Sequence, residues 1–266
     1  MNRLRKILFF GIAFILIPAS QAFGDETILP QDIYKNADFV CKVLMDYKIE
    51  AFDQIKNSTV TFSFPEENKG SCAAISLKGK SRIVTAAHLT VLSREEILNL
   101  IVRNRLKEGS NDPAILRIKK IFVYGKVYFK NNPGKAIEVE AEHIDTDLDL
   151  ATLTPKNPEI LEKIKGVPLG KEKIEVADSV FSIGNPQELN FIFMSGKISA
   201  VLSVNNYKHI LTEPMIDFGN SGGPLLDKNG RCVGIAVRAF FSYNIPFSLF
   251  VHRDNLKSYL EKNNKK

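Results

Sequence analysis

From residue 55 onward, apolar and β-branched residues come in short runs, several alternating with polar ones, and clusters of turn formers separate them. The runs 58–64 (STVTFSF), 82–85 (RIVT), 120–124 (KIFVY), 135–144 (KAIEVEAEHI) and 231–237 (RCVGIAV) read as strands. Successive side chains of a strand point to opposite faces, so a half-buried one shows a period of two. Asn131, Asn132, Pro133 and Gly134 lie between 126–130 (KVYFK) and the alternating run at 135, and predict a hairpin. Strands at this spacing predict an all-β sandwich or barrel.

Three segments have a helical period. Ala37, Val40, Cys41, Leu44 and Tyr47 predict one amphipathic helix ahead of the main fold. Ser93 with Glu96 three residues later is a capping-box signature, followed by Ile97, Leu98, Ile101 and Leu106, and predicts an inserted helix over 93–107. The last, over 254–262, starts at Asp254 as N-cap and carries Leu256, Tyr259 and Leu260. From 154 to 175, Pro155, Pro158 and Pro168 sit among Lys and Glu with little alternation, as expected of an inter-domain linker.

The N-terminus changes the picture of charge and compartment. Arg3, Arg5 and Lys6 precede an eleven-residue apolar run, 7–17 (ILFFGIAFILI), and Ser20 and Ala22 place small residues where a signal peptidase reads. Residues 1–22 are therefore expected to be a cleaved secretory signal, with Gly24 as the second choice of cleavage site. The run is well short of the roughly 20 residues that span a bilayer. Cleavage after Ala22 removes three cations and no acid, taking the net charge from +6 to +3. Such a small, dispersed excess gives no reason to expect nucleic-acid binding. With 44% hydrophobic and 25% charged residues in 266, the chain can bury one large or two small cores, which excludes disorder, collagen and coiled coil. The expectation is an exported protein, periplasmic or secreted, without stable membrane insertion after cleavage.

Cys41, Cys72 and Cys232 are an odd set; an oxidising compartment permits one bridge with a thiol left over. Cys72 and Cys232, each in a short apolar run, read as small buried hydrophobes. The sequence has no C-x-x-C, and His88, His143, His209 and His252 are scattered, so neither a metal site nor a cofactor is expected.

The chemistry concentrates in Gly219-Asn220-Ser221-Gly222-Gly223-Pro224-Leu225. A nucleophilic serine needs an exposed hydroxyl and backbone N–H groups aimed at the developing oxyanion, and glycines beside it let the main chain turn tightly enough to present both. Upstream, Ile83-Val84-Thr85-Ala86-Ala87-His88 ends an apolar strand on a histidine, and in 147–153 (DLDLATL) an acid leads into an alternating strand. The order is then His88, Asp149, Ser221. Residues 219–223 also satisfy G-x-S-x-G, but that nucleophile elbow belongs to a fold with the order Ser, acid, His and further layers after the serine. The 45 residues from 222 to 266 have no room for them.

These residues resemble a serine peptidase of the chymotrypsin fold, most closely the exported HtrA/Deg branch, over about 55–262. The matching pieces are Thr85-Ala86-Ala87-His88, Asp149-Leu150-Ala151, Ile183-Gly184-Asn185-Pro186, Ser195-Gly196-Lys197-Ile198-Ser199, the serine turn and Gly234-Ile235. The resemblance implies two six-stranded antiparallel β-barrels, about 55–155 and 176–253, with the active site between them and the helix 254–262 packed on the second. Residues 55–266 would form the peptidase domain and 23–54 an N-terminal segment, a candidate pro-segment. It makes Ser221 the nucleophile, His88 the general base and then acid, Asp149 the group that orients His88, and Gly219 and Ser221 the oxyanion-hole amides. Asp145 and Asp147 are rivals for the acid; Asp149 is preferred because it directly precedes Leu-Ala. Leu89 stands where vertebrate digestive relatives have a cysteine, so their histidine-loop disulfide is absent. Asn220 replaces their aspartate that binds a freed N-terminus. The branch's usual PDZ domain is expected to be missing, since the sequence stops at Lys266.

The resemblance places the primary specificity pocket at Met215, six residues before the serine, with walls at 236–239, Phe247 and Ser248. With no acid at its base, the pocket is expected to take a small-to-medium apolar side chain rather than Lys or Arg. Arg238 opens an alternative, an acidic preference like that of glutamyl endopeptidases, although those share a histidine after Gly-Ile where this chain has Ala236. The expected partner is a protein or peptide substrate, with oligomeric state open. A different class of function, a non-catalytic binding module on a protease fold, has no need for an intact triad.

Overall fold

The computed structural model describes residues 28–109, 115–213, 215–242 and 245–263, so the signal segment expected at 1–22 lies outside the described residues. After a short helix, α1 (Pro30–Lys35), come the strands β1 (Val40–Asp53), β2 (Ser58–Leu77) and β3 (Lys80–Ala86). The helix α2 (Arg94–Lys107) is followed by β4 (Leu116–Phe129), β5 (Ile137–Asp145) and β6 (Leu150–Pro155). The order β1-β4-β5-β6-β3-β2 closes on itself through β1–β2 pairing, giving the first antiparallel barrel. The connection then holds α3 (Glu159–Lys163) and a two-residue strand β7 (Val167–Pro168), which lies parallel to β2 at Ile75. Two residues on, the amide of Gly170 donates to the Cys232 carbonyl, so the linker passes from the edge of one barrel to the other. The strands β8 (Ser179–Gly184), β9 (Ile192–Val204), β10 (Tyr207–Thr212), β11 (Pro224–Leu226), β12 (Cys232–Ser242) and β13 (Ile245–His252) close the second barrel, and α4 (Arg253–Lys262) ends the chain's described part.

The two expected antiparallel six-stranded barrels and both flanking helices are present, with corrections of detail. The segment expected to be an amphipathic helix is β1. Its helical spacing at Val40, Cys41, Leu44 and Tyr47 coincides with a longer period of two, Cys41, Val43, Met45, Tyr47, Ile49 and Ala51, all fully buried. Strand structure therefore begins at Val40, ahead of the domain start expected at 55. The runs 120–124 and 126–130 are one strand, β4, because Gly125 lets it pass close to β1: a Cβ there would lie 2.4 Å from the Leu44 carbonyl oxygen. Cys41 and Cys72 face each other across β1 and β2 and are disulfide-bonded, so Cys72 is a cross-strand link rather than a packed thiol. Cys232 is the buried free thiol expected, and burial pushes its pKa up to about 12, which leaves it unreactive.

The capping box of α2 forms as read: Ser93 Oγ accepts from the Glu96 amide at 3.2 Å, and Glu96 Oε2 accepts from the Ser93 amide at 2.6 Å. On α4 the cap is His252, not Asp254. Its Nδ1 accepts from the Asp254 amide at 3.0 Å, while Asp254 sits in the first turn, where its charge suits the helix dipole, and pairs with Lys208 at 2.9 Å. Leu256, Tyr259 and Leu260 are buried as expected, and the Tyr259 hydroxyl donates to the His143 carbonyl of the first barrel, tying the barrels together. Among the described residues no helix is long and apolar enough to cross a membrane.

Two outcomes are expected. Deleting 28–54 removes β1 from between β2 and β4 and opens the first barrel, so the shortened chain should show no cooperative melt by circular dichroism; a wild-type-like transition would be inconsistent with this fold. Burial holds the His252 pKa below its ordinary value, so the unfolded chain binds the extra proton more readily. Its contribution to stability is therefore present above the unfolded value near 6.5 and lost as pH falls through the lower folded value. Melting temperatures between pH 7 and 5 should fall less for His252→Asn, which caps without titrating, than for the wild type.

Candidate active site

The apolar strand β3 runs into a single 3-10 turn, Ala87–Leu89, that carries His88. Ala86 pairs with Leu150 across β3 and β6, which sets Asp149 beside the turn. The Ala87 amide donates to the Asp149 carbonyl at 3.1 Å. The two carboxylate oxygens divide between two groups of His88: Oδ1 accepts from the backbone amide and Oδ2 from Nδ1, both at 2.8 Å. An ionised carboxylate can only accept, so the proton of this bond is on Nδ1, and in the neutral ring that leaves the lone pair on Nε2. Asp149 takes up this position with φ at +56°, a left-handed conformation that costs a non-glycine residue about 1–2 kcal/mol. Of its rivals, Asp145 closes a local turn by accepting from the Leu148 amide, and Asp147 is exposed on that turn. Asp149 is thus the acid that meets His88.

The serine turn sits at the seam of the barrels. Gly222 donates to the Ala236 carbonyl of β12 at 2.7 Å, while the Ser221 carbonyl accepts from the Ser71 amide of β2 at 2.8 Å. Glycine is required at two places. A Cβ on Gly222 would lie 2.1 Å from the Ser71 carbonyl oxygen and 2.4 Å from Thr85 Oγ1, and one on Gly219 2.2 Å from the Asn185 carbonyl oxygen; both have positive φ. Ser221 lies against the flanks of His88, since a Cβ on Gly70 would touch both the Ser221 carbonyl oxygen and the Leu89 side chain, and one on Gly222 would reach the Ala86 amide.

The Phe218 carbonyl accepts from the Gln187 amide at 2.7 Å. In a trans peptide the N–H points opposite to the C=O, so the Gly219 amide is turned away from Gln187. Among the described residues neither the Gly219 nor the Ser221 amide has a carbonyl partner. Asn220 between them is buried, and its side-chain oxygen has no donor among the described residues; an ionised carboxylate in its place would be a buried charge without a partner there.

Sequence reasoning missed Ser71. Fully buried, it donates from Oγ to the Gly219 carbonyl at 2.8 Å and accepts there from the Asn185 amide at 2.9 Å, in addition to its bond to Ser221. Its signal was a lone hydroxyl in the small and apolar run 70–75.

The pocket residues divide. Met215 is only 3% exposed and packs in the core of the second barrel, and its amide and that of Ile216 both donate to the buried Ser248 Oγ, at 2.7 and 2.8 Å. Ser248 therefore anchors the backbone at Met215 and Ile216. Phe247 is half-buried one step along β13, and Arg238 is exposed on β12 just past a bulge, facing Leu249 in register. Among the described residues Arg238 has no ion-pair partner, and no cluster of three His, Cys, Asp or Glu could hold a metal ion.

Comparison with known proteins agrees with this geometry. Residues 70–235 match the family described as a trypsin-like peptidase domain. The mitochondrial serine protease HTRA2 of Bos taurus is 30% identical over 145 residues, 50% of this chain and 30% of that protein. The periplasmic serine endoprotease DegP of Salmonella typhimurium is 34% identical over 107 residues, 38% and 22% of the two chains. The periplasmic pH-dependent serine endoprotease DegQ of Escherichia coli is 31% identical over 115 residues, 41% and 25%. The matched part thus spans a third or less of these relatives. The crystal structure of the serine endoprotease from Yersinia pestis superposes with a TM-score of 0.59 at 21% identity, over 88% of this chain and 66% of that one, which is a likeness of fold. With the family's domain matched over more than half of its length, this chain belongs to the trypsin-like peptidases.

Proposed function

We propose that the protein is an exported serine endopeptidase that hydrolyses peptide bonds through an acyl-enzyme on Ser221. The observation that carries this reading is the two-point bond from Asp149 to His88, made beside the serine turn. His88 Nε2 takes the Ser221 hydroxyl proton as Oγ attacks the scissile carbonyl, and Asp149 stabilises the imidazolium. The amides of Gly219 and Ser221 hold the oxyanion in the tetrahedral intermediate. His88 then gives its proton to the departing amine, and a water, deprotonated by the same ring, hydrolyses the ester and returns the proton to Ser221.

Substrate has a strand edge to follow. β12 pairs with β11 as far as Ile235, Ala236 exchanges backbone bonds with Gly222 and Gly223 next to Ser221, and β12 runs on past them to Ser242. An extended peptide added there would present its carbonyl to the serine turn. The apolar floor at Met215 supports cleavage after small-to-medium apolar residues, because a Lys or Arg buried against it would lack a counter-charge. Arg238, exposed on β12 and without an ion-pair partner among the described residues, supports a second reading in which an acidic substrate side chain is favoured at or near the cleaved position. For export, the support is the basic and apolar leader, the Cys41–Cys72 bridge, which suits an oxidising compartment, and the periplasmic setting named for DegP and DegQ.

A fluorophosphonate probe should label the wild-type chain and not Ser221→Ala, and Ser221→Ala and His88→Ala should each lower peptide turnover by about 10⁴ or more with unchanged circular dichroism. Asp149→Asn should lose about 10⁴ through the wrong histidine tautomer. Unlabelled wild type would favour the binding-module reading, and a more damaging Asp147→Asn would refute the choice of acid. For specificity, a peptide library should return Val, Ala or Leu before the cleaved bond. An acidic preference that disappears in Arg238→Ala would establish the second reading, and profiles dominated by Lys or Arg would defeat both.

A further inference from the structure

The turn that carries His88 is three residues long and has little internal support: the Thr90 amide and hydroxyl both donate to the Ala87 carbonyl, and that closes it. The direction of the imidazole therefore depends on bonds made from outside. At its start, Asp149 supplies two of these, one on the Ala87 amide and one on the His88 amide. At its end lies the Leu89 carbonyl, on the residue directly after His88. There the fully buried Tyr47 of β1 donates from its hydroxyl at 2.5 Å, and Asn68 of β2 donates from Nδ2 at 3.4 Å. Asn68 Nδ2 also donates to the Tyr47 oxygen at 2.8 Å. With that lone pair occupied, the phenolic proton is directed at Leu89, and the two bonds act as a chain. Burial raises the Tyr47 pKa well above its ordinary value, so it remains a donor across the working pH range. The Leu89 side chain meanwhile fills the space over Gly70, where a Cβ would lie 2.3 Å from its Cδ1.

We infer that Tyr47 and Asn68 are positioning residues for His88, fixing the far end of its turn through the Leu89 carbonyl so that the ring keeps its direction while Asp149 holds Nδ1. A buried phenol and an amide on two neighbouring strands tether that end. The inference rests on the peptidase reading for its consequence in turnover, but the geometry it concerns can be measured without turnover.

The test uses the full chain with Tyr47→Phe, which keeps the ring and deletes the donor. It should lower kcat by about tenfold with KM unchanged, because displacing a catalytic group costs the chemical step and not ground-state binding. The proton NMR resonance of His88 Nδ1–H should shift or broaden. Asn68→Ala should cost about threefold, and the double variant no more than the Tyr47→Phe change alone, since both donors act on one carbonyl. A Tyr47→Phe protein with lower melting temperature but wild-type kcat and an unaltered resonance would reduce the pair to a structural role and overturn the inference. If Tyr47→Phe does not fold, Asn68→Ala decides, with wild-type kcat and resonance again overturning it. If the wild-type chain is not labelled at Ser221, the peptidase reading falls, while the His88 resonance in these variants still decides whether Tyr47 and Asn68 position the ring.

Discussion

The two barrels meet through backbone brought too close for side chains. Ser71 on β2 gives its amide to the Ser221 carbonyl and its hydroxyl to the Gly219 carbonyl, and takes the Asn185 amide in return, so one buried residue joins β2, the serine turn and the segment after β8. A buried main-chain carbonyl without a donor costs about 1–3 kcal/mol, so the seam is stable only with these partners in place. The glycines at 219 and 222 are the other half of the same constraint, since a Cβ on Gly222 would collide with the Ser71 carbonyl across the seam and one on Gly219 with the Asn185 carbonyl after β8. Ser221 thus stands on the line where first-barrel and second-barrel polar groups satisfy one another, and its geometry belongs to neither barrel alone.

That arrangement explains which parts of the site were legible in the sequence. The serine turn announces itself because its needs are local: positive φ at Gly219 and Gly222, and room for amides to point inward. His88 and Asp149 were legible because each ends or begins a strand with a clear apolar pattern, and the Ala86 and Leu150 register brings them together. Ser71 and Tyr47 were not. Each acts on a backbone carbonyl distant in sequence, from 150 positions away in one case and 42 in the other, and nothing in a neighbouring run of residues marks such a bond. The Cys41–Cys72 link has the same character, depending on the register of β1 against β2. The misreading of β1 has a different cause: in 37–47 the apolar positions satisfy a helical and a strand period together, and only the continuation through Ile49 and Ala51 separates them. On α4, Asp254 has the composition of a cap, but the chain direction leaving β13 gives that place to His252.

β1 has further consequences for the site. It lies between β2 and β4, carries the bridged Cys41 and contributes Tyr47 to the end of the histidine turn. Asn185, two residues before Gln187, also donates from its side chain to the Cys41 carbonyl. Strand order, the disulfide and the position of His88 are therefore not independent features; each passes through the same fourteen residues of β1.

The segment leading into the serine turn combines a buried, anchored residue with an exposed one. Met215 is embedded in the core and its backbone is anchored twice on Ser248, whereas Phe218, three residues later, is 88% exposed. Between them Asp217 braces the turn, accepting from the Phe218 amide at 2.7 Å and from Gln187 Nε2 at 2.5 Å. An exposed aromatic ring is usually free to move with its loop, but here the main chain beneath it is fixed on both sides. The bond that turns the Gly219 amide away from Gln187 also fixes the Phe218 carbonyl, so on the proposed reading a bound peptide would meet the apolar surfaces of Met215 and Phe218. Discrimination by such a surface depends on contact area and on the desolvation of charge. On the proposed reading that basis favours apolar side chains, and Arg238, exposed on β12, is a cation that would modify it.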